Sequence, residues 1–425
     1  MILKIKNFKN INYQKLLLFI FFLTPTIIFF SKFISDLFIS LIALSSIYFI
    51  INLKRYKDLK LISFFLIFIL YVCINSVIQE QDVKLFFKSF FLIRFPLFIL
   101  FPFLINFKIN DLNFNYKFLF LLPLFIFLFN FYFQVFFNQD IFGNNLSNNY
   151  ERVTSFFNDE YIAGSYLFFI FAIIILVTDK IKTPILFLLV LIYLAIFFSG
   201  DRTPFISINL FLTVICLANI KKIIFSQKFI IMIFLIPITF FLLIFMHSKQ
   251  IISISAFDKY KGTYINIKKD IEQNETNRNL GLKRWPYYGL YSKSFVIFKN
   301  NILFGTTYKT FRNECGKTEY DEDYKNLTDG LDYKGCSTHP HNIYLEILSE
   351  QGLIGFILLC FLIYNLFRLS NNIVSYNLLN YKIFLIVYFF PFKPFGSFYT
   401  NFGLIMLSST IAYFIIFNKK IFKLN

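Results

Sequence analysis

Long apolar runs follow one another along this chain, and they leave few architectures open to it. A segment crossing the hydrocarbon of a bilayer needs roughly 20 mostly apolar residues. Twelve runs approach that length, each bounded to within several residues: Leu16–Phe33, Leu37–Leu53, Leu61–Ile78, Leu85–Ile105, Phe118–Phe137, Tyr161–Val177, Ile185–Ser199, Pro204–Ala218, Phe229–Met246, Gly352–Phe367, Ile383–Phe395 and Gly403–Phe417. In lipid every backbone N–H and C=O must be satisfied within the protein, so only helices or closed barrels cross it. The runs lack the strict alternation of barrel strands. They predict an all-α membrane protein with about twelve transmembrane helices. Of the 425 residues 57% are hydrophobic and 16% charged, against about 25% charged in soluble domains. Sixty-six phenylalanines and only 14 glycines point to apolar helix rather than low-complexity linker, and no internal repeat is evident.

The formal net charge of +18 suggests nucleic-acid binding only if its distribution is ignored. Lys54, Arg55, Lys57 and Lys60, then Lys108 and Lys117, Lys180 and Lys182, Lys221, Lys222 and Lys228, Arg368 and Lys382, and Lys419, Lys420 and Lys423 fall on alternate connections. The positive-inside rule makes those connections cytoplasmic. The basic N-terminal tail joins them and imitates a signal peptide, but no small-residue cleavage site follows the first run and many more runs do, so it reads as a retained span. The even span count then puts both termini in the cytoplasm of a bacterial cell. Two longer segments, Asn138–Glu160 and His247–Pro340, and the short turn Gly200–Thr203 then face the periplasm. The longest contains many lysines, but loops beyond about 60 residues translocate largely regardless of charge. The resulting organisation is nine helices with a short periplasmic segment over residues 1–246, a large loop over 247–340, and three helices over 341–425.

Catalytic polar groups must avoid lipid, which directs attention to span ends and the two periplasmic segments. The three histidines, His247, His339 and His341, all lie in or beside the large loop. His341 and Asn342 are followed, after nine intervening residues, by Gly352 and then Gly355, where the loop re-enters the membrane. Two stretches, Gly281–Trp285 with Arg284 and Asn300–Gly305, lie earlier in the same loop, and the turn Ser199–Thr203 carries Arg202. Arg152–Phe156 and Pro391–Asn401, with Lys393, are fainter matches to the same pattern. Together these resemble the O-antigen ligases, whose signature places His, Asn, nine residues and Gly-x-x-Gly at this junction. Three departures are plain: Arg284 directly precedes Trp285, Asn301 stands where proline is usual, and Asp201 replaces a small residue.

The resemblance implies an undecaprenyl-diphosphate-linked glycan donor, a lipid A-core acceptor, inverting transfer on the periplasmic side of the inner membrane, no cofactor, and a bundle like the GT-C glycosyltransferases. The residue types suit that chemistry. A guanidinium binds phosphate oxygens at two points, so Arg202 and Arg284 are candidates to stabilise the departing diphosphate. An imidazole suits acceptance of the sugar hydroxyl proton, which makes His341 the candidate base; if it stays protonated it is a phosphate ligand instead. Arg152, Arg94, Lys393, His339 and Asn342 are candidate substrate-binding residues. Arg94 lies midway along an apolar run, where a charge is expected to face an internal cavity. Gly352 and Gly355 read as structural, allowing close packing of the helix on a neighbour. His339 and His341 have no third ligand fixed by spacing, and Glu319–Asp323 lacks the pattern of a calcium loop, so no metal is expected. Cys315 and Cys336, both in the loop, are expected to pair in an oxidising compartment. O-antigen polymerases share the architecture, and a transporter of lipid-linked sugars is the alternative from another class, although such proteins typically show repeated halves.

Overall fold

In a computed structural model of the chain, the residues described are 11–80, 83–105, 116–144, 152–158, 160–178, 182–218, 287–328, 335–369, 376–394 and 396–418. Every regular element among them is helical. The first nine helices are α1 Ile11–Ile27, α2 Lys32–Asn52, α3 Ser63–Glu80, α4 Val83–Phe90, α5 Arg94–Leu104, α6 Tyr116–Phe137, α7 Ala163–Val177, α8 Thr183–Phe198 and α9 Arg202–Ala218. Then come α10 Tyr288–Asn300, the short α11 Phe311–Glu314 and α12 Asp321–Leu327, and finally α13 Ile343–Leu369, α14 Tyr376–Tyr388 and α15 Asn401–Asn418. Among the described residues six stretches are long and apolar enough to cross a membrane: Lys32–Asn52, Tyr56–Gln79, Val83–Leu104, Phe118–Phe137, Ile343–Leu369 and Asn401–Asn418. Four shorter apolar helices accompany them. The ninth expected span, Phe229–Met246, lies outside the described residues.

Local chemistry explains where helices depart from the apolar runs. The fourth run is divided between α4 and α5 by a 3-10 turn at Phe91–Ile93, because Pro96 has no N–H to continue the α-helical ladder from Leu92. The run expected at Ile383–Phe395 is instead α14, which begins at Tyr376 and stops at Tyr388. Pro391 and Pro394 end it, since a residue before proline is driven out of the helical region. Aromatic packing holds the centre together. Phe21 of α1 stacks on Phe98 of α5 at 5.1 Å and on Tyr413 of α15 at 5.4 Å, and Tyr381 of α14 stacks on Phe414 at 4.1 Å. Helix α15 is buried almost throughout, whereas Leu44, Phe129 and Leu353 present apolar side chains outward, as lipid contact requires.

Helix α13 carries the feature that positions the site. At Gly352 its backbone turns to φ 65° and ψ −166°, breaking the helix. The break leaves carbonyls of the preceding turn and amides of the following one without helical partners, and buried groups of this kind need others. The segment after α10 supplies them. Leu353 and Ile354 donate to the carbonyls of Ile302 and Leu303 at 2.8 and 3.3 Å, while Thr306 and Thr307 donate to those of Ser349 and Glu350 at 3.0 and 2.6 Å. From α3, Tyr71 Oη donates to the Gln351 carbonyl at 2.7 Å and Asn75 Nδ2 to that of Phe304 at 2.7 Å. Gly352 therefore serves close approach, as expected, but to a loop backbone rather than a helix face. Gly355 faces Tyr71, whose ring a Cβ would meet at 3.3 Å. Asn301 closes α10 by donating to the Ile297 carbonyl at 3.1 Å.

A Cβ on Gly352 would sit 2.3 Å from the Leu303 carbonyl oxygen, and one on Gly305, at φ 67°, 2.5 Å from backbone atoms of residues 350–352. Gly352→Ala and Gly305→Ala should each destabilise the protein by on the order of 2–4 kcal/mol, from left-handed strain and overpacking. Thermal unfolding of the detergent-purified variants reads this as a clear loss of melting temperature; wild-type melting would mean that the break and the loop are not joined as described.

Candidate functional site

The turn between α8 and α9 brings the first charged group into place. Its side chains lie against α7 so closely that a Cβ on Gly164 would meet Ser199 Oγ at 2.5 Å and Asp201 Oδ2 at 3.0 Å. Asp201, the departure noted in the sequence, is buried and accepts a charged hydrogen bond from Arg152 Nη1 at 3.2 Å. The Arg152 guanidinium also lies 4.9 Å from the centre of the Tyr161 ring. Arg152 is thus fixed by a carboxylate and an aromatic face. Arg202, one residue after Asp201, is exposed and has no carboxylate partner among the described residues.

The second group comes from the end of the loop. Asn342 caps α13: its Oδ1 accepts from the amides of Tyr344 and Leu345 at 3.0 and 3.1 Å, and its Nδ2 donates to the Pro391 carbonyl at 2.7 Å. This uses both ends of the Asn342 amide structurally. It also anchors His341, which takes a left-handed backbone at φ 59°. The His341 ring lies 4.2 Å from that of His339 and 5.1 Å from that of Tyr287, centre to centre. His339 Nδ1 shares a hydrogen bond with Thr338 Oγ1 at 2.9 Å.

Deeper support comes from two glutamates, one helical turn apart on α13. Glu346 accepts from Ser397 Oγ at 2.5 Å and from the Phe398 amide at 2.7 Å, which fixes the turn before α15. Glu350 accepts from the Lys309 and Phe311 amides at 2.8 and 3.1 Å. Both are buried, and two hydrogen bonds each offset the loss of water. Arg94 pairs with Asp36 of α2 at 2.7 Å and donates to Asn401 Oδ1 at 3.3 Å. It touches the cavity through Asn401 rather than lining it.

Arg152, Arg202, His339, His341 and Lys393 all line one cavity of about 740 Å³, within the size range of small-molecule sites. Lys393 donates to the Val387 carbonyl at 3.3 Å. The lining holds five cations, Lys32, Arg152, Arg202, Lys309 and Lys393, against two carboxylates, Asp201 and Glu160. Each carboxylate is already paired, Asp201 with Arg152 and Glu160 with Lys32, so the cavity keeps a positive excess suited to an anion.

Residues 186–360 match the family model described as O-antigen ligase. Over that region the chain is similar to the O-antigen ligases. No curated protein matches the chain. The family region runs from α8 to the middle of α13, so it holds Arg202, His339, His341, Gly352 and Gly355, while Arg152 and Lys393 reach the cavity from either side of it. Arg284 and Trp285, also within it, lie outside the described residues, as does His247. Cys315 and Cys336 are joined in a disulfide with their Cα atoms 5.2 Å apart. It closes a small cluster of Leu290, Val296, Ile297, Phe311 and Tyr320 on which the loop segment before His339 rests. The acidic run serves that cluster too: Lys293, almost fully buried, holds Asp321 at 2.8 Å and keeps its carboxyl below the usual range. Among the described residues no three metal-ligating side chains converge.

Asp36, Glu346, Glu350, Lys309 and Asn401 were not singled out from sequence. Arg94, expected from its place in an apolar run to face an internal cavity, instead pairs with Asp36 at the start of another such run.

Asn342→Ala should lower stability by about 1–2 kcal/mol, the usual loss of an N-cap, and Asn342→Asp by less, because it keeps the cap and loses only the bond to Pro391. Equal melting temperatures for wild type and Asn342→Ala would remove the capping role.

Proposed function

We propose that the chain transfers a glycan from an undecaprenyl-diphosphate carrier to lipid A-core or a similar acceptor, at the periplasmic face of the inner membrane that it crosses about twelve times with both termini in the cytoplasm. The reading rests on one observation above the rest: Arg202, without a carboxylate partner among the described residues, shares a cavity with His341. The match to the O-antigen ligase family model over residues 186–360 supports the same class of reaction. In this scheme the acceptor hydroxyl oxygen attacks the anomeric carbon as the bond from that carbon to the diphosphate breaks. The bonding electrons leave with undecaprenyl diphosphate, and the hydroxyl proton passes to the His341 imidazole. Arg202 stabilises the charge that grows on the leaving oxygen, and Arg284 is proposed to assist it. Arg152 and Lys393 add to the field that draws the diphosphate in. Attack from the face opposite the leaving group inverts the anomeric centre, and no step needs a metal.

The same groups serve a polymerase, whose acceptor is a second lipid-linked glycan. Asn342 and the Gly352 break carry out structural work indifferent to the acceptor, so acceptor identity rests with the assay. Transport of lipid-linked sugars is disfavoured by the family match.

His341→Ala and Arg202→Ala should each lower transfer by roughly a hundredfold or more in purified protein given undecaprenyl-diphosphate glycan and lipid A-core, with EDTA without effect. Near-normal transfer by His341→Ala would end its assignment as base. Product formed only from two lipid-linked glycans would make the chain a polymerase.

A further inference from the structure

Lys309 is a cavity-lining residue that the reaction scheme leaves unused. It is half-buried, and among the described residues no carboxylate pairs with its ammonium, which lies 5.2 Å from the centre of the Tyr308 ring. A lysine kept only for structure would be expected to hold a counter-ion once withdrawn from water. Its backbone is constrained in an unusual way. Thr307 and Lys309 both have positive φ, at 96° and 60°, a region that side chains other than glycine rarely adopt. Strain of this sort persists only when the surroundings over-determine it, and it clusters at functional sites. Here the surroundings are explicit. Glu350 takes the Lys309 amide on one carboxylate oxygen and the Phe311 amide on the other, and its own carbonyl accepts from Thr307. Thr307 Oγ1 donates to Ser76 Oγ at 3.2 Å, and Thr306 and Thr310 share a hydroxyl bond at 2.7 Å. These bonds fix the loop backbone and with it the direction in which the Lys309 side chain leaves the chain.

We propose that Lys309 is a further phosphate-binding residue for the lipid-linked diphosphate, with Glu350 as the positioning residue that presents it to the cavity. The proposal rests on the transfer reading above. A point charge suits this place, since Lys serves phosphate without the two-point geometry that Arg supplies. Burial, and after it the Arg312 charge, lower the Lys309 ammonium from its ordinary value by more than the nearby Glu346 and Glu350 raise it, so an arriving anion would stabilise the cation further.

Equilibrium binding of undecaprenyl diphosphate to the full-length, detergent-purified chain tests this without requiring turnover. Lys309→Gln should weaken binding roughly ten- to a hundredfold, the span expected for a hydrogen bond to a charged group. It should raise the donor KM in parallel while leaving the acceptor KM unchanged, and Lys309→Arg should restore most of the loss. Glu350→Gln can accept only one of the two amides, so it should weaken binding in the same direction and add little to Lys309→Gln in the double variant. Wild-type affinity in Lys309→Gln overturns the inference while leaving the transfer reading standing. Additive losses in the double variant overturn the positioning role of Glu350. Wild-type protein that neither binds undecaprenyl diphosphate nor transfers a glycan overturns both.

Discussion

The break in α13 at Gly352 is the constraint on which the rest of the site depends. A continuous helix would satisfy its own backbone and offer nothing to the segment after α10. Broken, it exposes amides and carbonyls that the Ile302–Thr307 segment pairs with, and that pairing requires two glycine backbones where no Cβ fits. The consequence is a fixed relation between three things: the membrane helix below the break, the capped start of α13 that carries His341, and the loop that carries Lys309. Tyr71 and Asn75 of α3 tie the arrangement to the rest of the bundle. A motif spanning residues 339–355 thus acts mainly through backbone geometry, and the chemistry at its head inherits its position from the glycine at its tail.

Charge is distributed by a related logic. Carboxylates near the cavity are spent in pairs or on amides: Asp201 on Arg152, Glu160 on Lys32, Glu346 on the turn before α15, Glu350 on the Lys309 loop. Arg94, deepest in sequence terms, is neutralised by Asp36. What remains facing the cavity is cationic. Such a lining favours an anionic group. Diphosphate supplies that anion in the proposed reaction, while the imidazole of His341 offers the proton acceptor that the guanidinium groups cannot.

Much of this was legible before any coordinates. Apolar runs had to become helices because lipid offers the backbone no partners, and eleven of the twelve fall on described helices. The resemblance grouped Arg152, Arg202, His339, His341 and Lys393 as candidate site residues, and all five line one cavity. Other features were hidden for physical reasons. Gly-x-x-Gly reads as a helix-packing stripe, and only the φ of Gly352 reveals a break. Proline at 391 outweighs the apolar character of its neighbours, which shifted α14. Glu346 and Glu350 look like ordinary helical surface charges in sequence, since their partners are backbone amides more than 35 residues away. Lys309 lies in a loop with no periodicity, so only the fold could show which way it faces. Asp201 looked like an imperfection in the motif until its partner, Arg152, was in view.

The central claim is that a cavity lined by Arg202 and His341 holds the diphosphate and the reacting sugar. An experimental structure of the full chain with undecaprenyl diphosphate bound tests it directly. The account predicts phosphate oxygens within hydrogen-bonding distance of the Arg202 guanidinium, on the same side of the bilayer as the disulfide, with His341 facing the space where the sugar hydroxyl must approach. A diphosphate bound outside this cavity, or within it but out of reach of both Arg202 and His341, would contradict the account.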